Sequence, residues 1–339
     1  MVLETKSNDE NVILHRSEER VGHTILYDLG IEMATNEIVG IIHADMIVTE
    51  NYLENLLKHL DKGKVVCATR IEPPLHPPGN EKIIQNFGLD FDDLDIPAFE
   101  EFAKNTQSEN EGRTTKGMFA PWILYKEDFQ RIGGHDPLFA PFPYEDSDIF
   151  QRWIMAGYEL IQSRDSFVYH LTCRGHRWNN QIQKDDDYYK VASQKAARNY
   201  LRKWGTWIEN DSYQYPIITP KYDIGFIIKN CNLDLLKVLE PWASTCYVDF
   251  NYTDYLYIEK DNTLMDLNER VKPFENEKNN EILVEIDGRT LNNDDFKIIQ
   301  QLAKIIQDSG EIGRFALGNL NIEIVQMNEY QNNLINVDR

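Results

Sequence analysis

The sequence has little cysteine, and the cysteines it has are not arranged in pairs. The four are Cys67, Cys173, Cys231 and Cys246, and no two of them form a Cys-x-x-Cys motif. This spacing argues against a structural zinc site and is typical of a protein from a reducing compartment. We therefore expect no structural zinc.

Long apolar stretches and positive charge are also scarce. No apolar run approaches the roughly 18 residues of a membrane-spanning helix, and the first residues do not resemble a signal peptide. The 35 Lys and Arg residues face 56 Asp and Glu residues, for a net charge of −21. Such a charge argues against nucleic acid or an anionic membrane as the main partner. We predict a soluble, cytoplasmic protein in which any bound phosphate is held by a local site.

The apolar residues alternate between strand-like runs and helical spacings. With 339 residues, 42% of them hydrophobic, the chain is long enough for two domains. Strands are predicted at residues 11–15 and 37–43, separated by a helix at 24–35. The second run is apolar throughout, as in a parallel strand buried on both faces. The alternation predicts an α/β layer whose ligand site lies at the carboxyl ends of the strands.

Two further regions have a clear composition. Residues 81–115 are acidic and polar, with a helical part at 96–104, and form either a mobile lid or a surface insertion. Residues 213–220 are typical of a linker. Alternating strands and helices beyond it predict a smaller α/β domain, with an amphipathic helix packed on a sheet at 293–308. We divide the chain into domains at 1–215 and 216–339, the second of unknown role.

An acidic cluster opens the helix that follows Pro143 and Tyr144. Glu145, Asp146 and Asp148 precede an apolar run, and acids in a first turn are stabilised by the helix dipole. A turn of about 100° per residue puts Glu145 and Asp148 on one face, with Asp146 pointing elsewhere. The cluster is either an ordinary N-terminal cap on a solvated helix or part of a site.

Histidines lie at the ends of two predicted strands. His43 and Asp45 are two residues apart, on the same side of an extended chain. A carboxylate and an imidazole together suit Mn²⁺ or Mg²⁺ when phosphate oxygens complete the shell. His170 and His176 follow another strand, so a metal cradle built from two strands is predicted.

Two arginines flank the last of these histidines. Arg174 and Arg177 either grip a diphosphate through charge-assisted hydrogen bonds or face solvent.

Together these motifs resemble the family 2 glycosyltransferases of the GT-A fold, close to versions carried by marine bacteriophages. The resemblance covers roughly residues 11–210, and its most specific part is the Glu145-Asp146 pair with Arg152-Trp153 downstream. The other matching stretches are residues 22–45, Gly133-Gly134-His135-Asp136 and residues 170–178.

The resemblance implies an inverting transfer of a sugar from a nucleotide-diphosphate donor to a glycan or another hydroxyl acceptor. Asp146 would be the general base, and Glu145 would bind acceptor hydroxyls. Asp45 occupies the position of the family's DxD motif. The implied ligands of Mn²⁺ or Mg²⁺ are Asp45, His43, His170 and His176. The implied donor-binding residues are Gly22, His23, Arg174, Arg177 and Trp178. Trp122, Tyr144 and Trp178 either stack on sugar rings or belong to the core.

This sequence departs from the family at two places. His43 replaces the usual first Asp of the metal motif. Family members also begin with two strands that recognise the base and ribose, and nothing before Asn11 supplies them. We therefore expect an N-terminally incomplete GT-A domain whose donor pocket is completed by a second polypeptide, or whose nucleotide binding is lost or weakened.

Two other classes of function remain open at this point. One is a non-catalytic carbohydrate-binding or assembly protein on a degenerate glycosyltransferase scaffold. The other is a metal-dependent hydrolase using His43, Asp45, His170 and His176, although no bridging carboxylate supports two metals.

Overall fold

The computed structural model describes residues 11–18, 21–172, 178–179 and 184–337, with only the main chain described at 178–179 and 184–185. The helices are α1 His23–Met33, α2 Tyr52–Leu57, α3 Ile96–Glu109, α4 Lys126–Arg131, α5 Glu145–Met155, α6 Asp187–Trp204, α7 Leu233–Leu239, α8 Thr253–Glu259, α9 Leu267–Arg270, α10 Asn293–Gln300 and α11 Leu302–Ser309. The strands of the first part are β1 Ile38–Ile41, β2 Met46–Val48, β3 Lys64–Glu72, β4 Lys82–Ile84, β5 Thr114–Thr115, β6 Trp122–Tyr125, β7 Glu159–His170, β8 Trp178–Asn179, β9 Lys184–Asp185 and β10 Glu209–Asn210. Those that follow are β11 Pro216–Ile217, β12 Ile224–Lys229, β13 Thr245–Val248, β14 Val271–Pro273, β15 Ile282–Asp287, β16 Gly313–Leu317 and β17 Leu320–Ile324.

A mixed sheet of seven strands organises the first part of the chain. Its main order is β1-β6-β3-β7-β2, with β4 beside β3 and β5 beside β7. β3 runs parallel to β7, whereas β6 is antiparallel to both β1 and β3. β1, β3 and β7 therefore share one direction, and their carboxyl ends meet at one edge of the sheet. That edge is where ligand sites of open α/β sheets lie.

The central strand β3 is the most buried of this sheet. All its residues from Val65 to Glu72 are buried, which fits a strand with neighbours on both sides and covered faces. On one face α5 packs Ile149 and Trp153, both with no exposed surface. The core therefore holds α5, and the acidic residues at its start, against the sheet.

The predicted strand at 37–43 forms, but its surroundings differ from the prediction. β1 lies at the end of the sheet order and pairs with β6 in antiparallel register. Only Val39 and Ile41 are buried, while Ile42 is 48% exposed. The apolar run was predicted as a parallel strand buried on both faces. That interpretation is wrong, because β1 has a strand neighbour on one side only.

The acidic stretch at 81–115 is folded onto the sheet. Its helix α3 begins at the cap Asp95, whose side chain accepts a hydrogen bond from the amide of Ala98. Phe99 and Ala103 of α3 are buried against Phe167 and Tyr169 of β7. This helix therefore forms part of a core.

One other local prediction differs from the structure. Residues 11–15 form no strand, although one was predicted there. The long strand β7 is continuous and pairs with β3 across a register shift between Cys67 and Thr69. The polar side chains in the middle of β7 have partners, since Ser163 Oγ donates to Asp165 Oδ1 and Gln162 donates to the Glu81 carbonyl.

The second part of the chain has its own sheet, in the order β14-β13-β12-β15-β17-β16. Four of its strands are parallel, and β17 and β16 are antiparallel additions. Helices α10 and α11 bury Ile299, Leu302 and Ile306 in its core, as the amphipathic stripe predicts. The α/β class with a smaller C-terminal α/β unit is thus confirmed. The exact domain boundary at 215/216 stays a prediction.

None of the helices in the described ranges combines the length and the apolar character needed to cross a membrane.

Candidate functional site

Three predicted metal ligands meet at the carboxyl edge of the first sheet. His43 and Asp45 lie in the turn between β1 and β2, where the amide of Met46 donates to the His43 carbonyl. His170 ends β7 and is the register partner of Met46. The ligand atoms of His43, Asp45 and His170 lie within 4.8 Å of one another. The strand pairing therefore brings together three residues from two distant parts of the sequence.

The ionisation of His43 suits a metal ligand. Burial lowers the pKa of His43 to about 4, so the ring is neutral at neutral pH. Its Nε2 atom is buried and has no hydrogen-bond partner among the residues that the structure describes. A neutral imidazole with an unpartnered nitrogen beside a carboxylate is a donor set that fits Mn²⁺ or Mg²⁺ completed by oxygen ligands.

His170 is oriented by a carboxylate that the sequence prediction missed. Its Nδ1 lies 2.9 Å from Glu72 Oε1, which leaves Nε2 facing Asp45 Oδ2 at 3.6 Å. Glu72 is buried at the end of β3 and also binds Arg70 at 3.0 Å and Lys82 at 3.1 Å. An outer carboxylate that holds a histidine in this way is common around metal sites.

The charges around Glu72 keep it ionised. Burial alone would raise the pKa of Glu72, but the hydrogen bond from His170 and the charges of Arg70 and Lys82 outweigh it and lower the pKa to about 2. Burial opposes protonation of His170, while its bonds to Asp45 and Glu72 raise the pKa of the ring. A metal ion bound here would therefore compete with a proton on His170.

The acidic pair lies at the start of α5. Glu145 is buried and bonded to Nε2 of His23, the first residue of α1, and Glu145 Oε2 is buried with no partner in the described part of the chain. Burial alone would raise the pKa of Glu145, but the contact with His23 lowers it. Asp146 is half-buried. Burial and the negative charge of Glu145 together raise the pKa of Asp146 to about 6.

Tyr27 connects the acidic pair with the metal ligands. Its ring stacks on His23 at 5.2 Å between centroids and on His43 at 5.7 Å, with an 8° angle between the latter two planes. Burial raises the pKa of Tyr27, and the charges of Asp146, Glu145 and Asp45 add to the effect. Tyr27 therefore lies between His43 of the triad and His23, which is bonded to Glu145 of the acidic pair.

Asp148 binds basic residues in the core. As the spacing predicts, Glu145 and Asp148 are both on the buried side of α5 while Asp146 is only half-buried, and the fully buried carboxylate of Asp148 lies 2.7 Å from Arg152 and 2.6 Å from Lys203. Arg152 also donates to the carbonyls of Ile132 and Gly134. The arginine of the Arg152-Trp153 motif therefore fixes the main chain of the loop at Gly133-Gly134 by hydrogen bonds, and Asp148 holds that arginine in place.

Some of the predicted site residues have packing roles, and others lie outside the part of the chain that the structure describes. Trp122 is 1% exposed and packs on Trp153 at 5.1 Å, so of the two alternatives for this residue the structure supports a place in the core. Gly22 has φ +84°, and a Cβ there would lie 2.3 Å from Pro141, which gives this glycine a packing role. Arg174, His176 and Arg177 and the side chain of Trp178 lie outside the described residues.

A buried histidine behind the site was also not predicted as functional. His135 is 1% exposed, and its Nδ1 lies 2.5 Å from Asp28 Oδ1. Burial lowers the pKa of His135 to about 4, against the opposing charges of Asp146 and Glu145. Two of the residues that were not predicted have a signal in the sequence. His135 follows a pair of glycines, and Tyr27 lies four residues after His23 on the same helix.

A mixed α/β sheet that presents a histidine and aspartate triad at its strand ends is the architecture predicted for a GT-A glycosyltransferase domain. The family model described as Glycosyl transferase family 2 matches residues 1–123. Residues 1–123 are thus similar in sequence to that family. The segment includes His43 and Asp45 but ends before Glu145, Asp146 and His170. The closeness to bacteriophage members stays a prediction.

Comparison with other proteins adds little detail. No curated protein matches the chain. Among solved structures, one described as GalNAc-T7 with UDP, GalNAc and Mn²⁺ is 15% identical, with a TM-score of 0.36. The match covers 50% of this chain and 34% of that chain. The chain thus spans about a third of the length of that protein, and so distant a likeness supports no statement on substrate.

Proposed function

We propose that this chain is a glycosyltransferase that moves a sugar from a nucleotide-diphosphate donor to a hydroxyl acceptor, with inversion and with the help of a divalent metal. The observation that carries the proposal is the meeting of the His43, Asp45 and His170 triad with the Glu145 and Asp146 pair across Tyr27. A transferase needs both parts, a cation beside the leaving diphosphate and a base beside the attacking hydroxyl.

Asp146 is the residue best suited to be the base. A pKa of about 6 makes this carboxylate a stronger base than an ordinary aspartate while leaving it mostly ionised at neutral pH. Asp146 would remove the proton of the acceptor hydroxyl as its oxygen attacks the anomeric carbon. Attack from the side opposite the leaving diphosphate inverts that carbon.

Glu145 would position the acceptor. His23 engages one of its oxygens, and the other, Oε2, is buried without a partner. Such an acceptor atom is expensive to leave unbonded, so a sugar hydroxyl that donates to it gains binding energy and a defined orientation.

His43, Asp45 and His170 would hold Mn²⁺ or Mg²⁺. When bound, the ion supplies positive charge that offsets the charge developing on the diphosphate. The residues of this chain contribute the orientation of the ligands, through Glu72 on His170 and through the ring of Tyr27 on His43.

A calorimetric titration tests the donor site. Uridine diphosphate and guanosine diphosphate are titrated into the wild-type protein with and without Mn²⁺, and the titrations are repeated with Asp45→Asn and Asp146→Asn. We expect binding that depends on the metal, that Asp45→Asn abolishes and that Asp146→Asn retains. Absence of binding in both conditions, or binding that Asp45→Asn leaves unchanged, would contradict the proposal.

A further inference from the structure

A polar cleft of about 400 Å³ lies beside the first sheet, on the strands that lead to the metal ligands. It is lined by β5, by the loop before β4 and by the middle of β7, with Arg113, Arg164 and Lys82 as its charged residues. In a chain with a net charge of −21, three basic side chains around one cleft are a local exception.

Two of these cationic residues lie directly opposite each other on neighbouring strands. Thr114 is the register partner of Ser163, and the amide of Arg164 donates to the carbonyl of Arg113 at 2.9 Å, which continues the pairing by one residue. Residues paired in this way have Cβ atoms about 5 Å apart and point to the same face of the sheet. Like charges in that arrangement are destabilising.

Within the described ranges, neither guanidinium group forms an ion pair that would offset this repulsion, and their hydrogen bonds go to the neutral acceptors Asn110 Oδ1 and the Asn80 carbonyl. Burial lowers the pKa of Arg164, and the positive charge of Arg113 adds to this effect.

The acids that do lie nearby already serve other cations. Glu81 is 3.9 Å from both Arg70 and Lys82, and Glu72 binds the same two residues. Arg113 and Arg164 therefore remain as a matched pair of planar donors, a geometry that suits phosphate and carboxylate oxygens.

We propose that this cleft binds an oxyanion, a phosphate or carboxylate group, between Arg113 and Arg164. Lys82 connects the cleft with the candidate site, because it lines the cleft and binds Glu72, which in turn holds His170. The oxyanion is assigned to an acidic group on the acceptor sugar, and this last assignment rests on the proposed transferase function.

Binding of inorganic phosphate tests the cleft directly. The titration is made by calorimetry in the presence of a chelator, so that no metal ion in the triad can hold the anion. We expect saturable binding to the wild type, weakened at least tenfold in Arg113→Gln and in Arg164→Gln. Arg314→Gln is the matched control, since that arginine is 82% exposed and pairs with Glu323 on the other sheet.

The two arginine variants differ in their expected effect on folding. Arg113 is exposed, so Arg113→Gln retains the fold even if the half-buried Arg164 is needed for stability, and circular dichroism checks both. Absence of saturable binding to the wild type, or equal binding to Arg113→Gln and the wild type, would overturn the proposal.

A second titration identifies the source of the anion. Glucose 6-phosphate is compared with inorganic phosphate and with glucose under the same conditions. Tighter binding of the sugar phosphate supports an acidic acceptor, whereas equal binding of the two phosphates overturns that assignment and leaves a site for a free anion. Neither titration uses nucleotide, metal or sugar transfer, so a failure of the anion site and a failure of the proposed function are distinguished.

Discussion

Two of the buried clusters of charge in the described part of the chain differ in how completely they are paired. The first surrounds Glu240, which has no exposed surface. Its carboxylate binds Arg270 and Arg202, and it accepts a hydrogen bond from Tyr255 at 2.8 Å. Arg202 in turn reaches Glu259 at 2.5 Å. The charges of this cluster are matched by partners.

The second cluster is the candidate site. There and directly behind it, His43 Nε2, Glu145 Oε2 and His135 Nε2 are buried and have no hydrogen-bond partner within the described ranges. Native proteins pair nearly all buried polar groups, so several unpaired ones at one place indicate a ligand site. The comparison teaches that the completeness of pairing distinguishes a structural cluster from a binding site. The paired Glu240 cluster joins the two parts of the chain, whereas the unpaired polar atoms of the candidate site are available to a ligand.

The largest expected effect is on stability and comes from breaking the paired cluster. Glu240→Ala leaves Arg202 and Arg270 buried without their carboxylate, and breaking such a pair costs about 3–5 kcal/mol. The free energy of unfolding is measured by denaturant titration. The control Glu323→Ala removes an exposed pair with Arg314 and should change that free energy by about 0–1 kcal/mol. Equal, small effects of both variants would contradict a structural role for the cluster.

The next effect is on activity and leaves stability intact. Asp146→Asn removes the proposed base, which typically contributes on the order of 10²–10⁴ to a rate, so sugar transfer should fall by at least about 100-fold. Because the folded-state pKa of about 6 exceeds the usual 3.8, the ionised carboxylate opposes folding at neutral pH, and the amide should unfold at the same or a higher temperature. The rate of transfer is measured from the release of nucleoside diphosphate. If Asp146→Asn retains turnover, Asp146 is not the base.

The same carboxylate sets the expected pH dependence. A base must be ionised, so transfer by the wild type should decline as the pH falls through about 6. The residual activity of Asp146→Asn should lack that decline. If both proteins lose activity in parallel, another group controls the acidic limb.

The smallest expected effect is on metal affinity and comes from changing Glu72, the partner of His170. Glu72→Gln keeps the shape of the side chain but loses the charge that orients His170 and neutralises Arg70 and Lys82. Loss of an outer-shell partner lowers metal affinity roughly 10–100-fold, measured by Mn²⁺ titration without nucleotide. Glu323→Gln, far from the triad, should bind Mn²⁺ as the wild type does, and unchanged affinity in Glu72→Gln would show that Glu72 does not support the site.

Several site residues could be predicted because their signals are local. His43 and Asp45 follow a short apolar run, and Glu145 and Asp146 open a helix with an apolar stripe, so each group stands out in a few residues. Tyr27 and Glu72 could not be found in this way. Tyr27 looks like one more core position of α1, and Glu72 looks like the end of a strand, until the fold places His43 and His170 beside them.

The alternatives that the sequence left open have the same origin. Glu145 and Asp148 both lie in the first turn of one helix, but Asp148 contacts Arg152 and Lys203 while Glu145 contacts His23. Trp122 was equally compatible with a sugar contact and with the core, and its contact with Trp153 decides for the core. The partner on the opposing element, which no local pattern contains, decides each of these roles.

The sequence alone determined the α/β class, the order of most helices and strands, and the residue types that carry the chemistry, because periodicity and turn residues act over short distances. Only the tertiary structure decided which of those residues meet. Strand pairing put Met46 beside His170, and core packing put α1 against α5, and both depend on contacts between residues more than a hundred positions apart. Whether each charged side chain is paired or left for a ligand was likewise decided by those contacts.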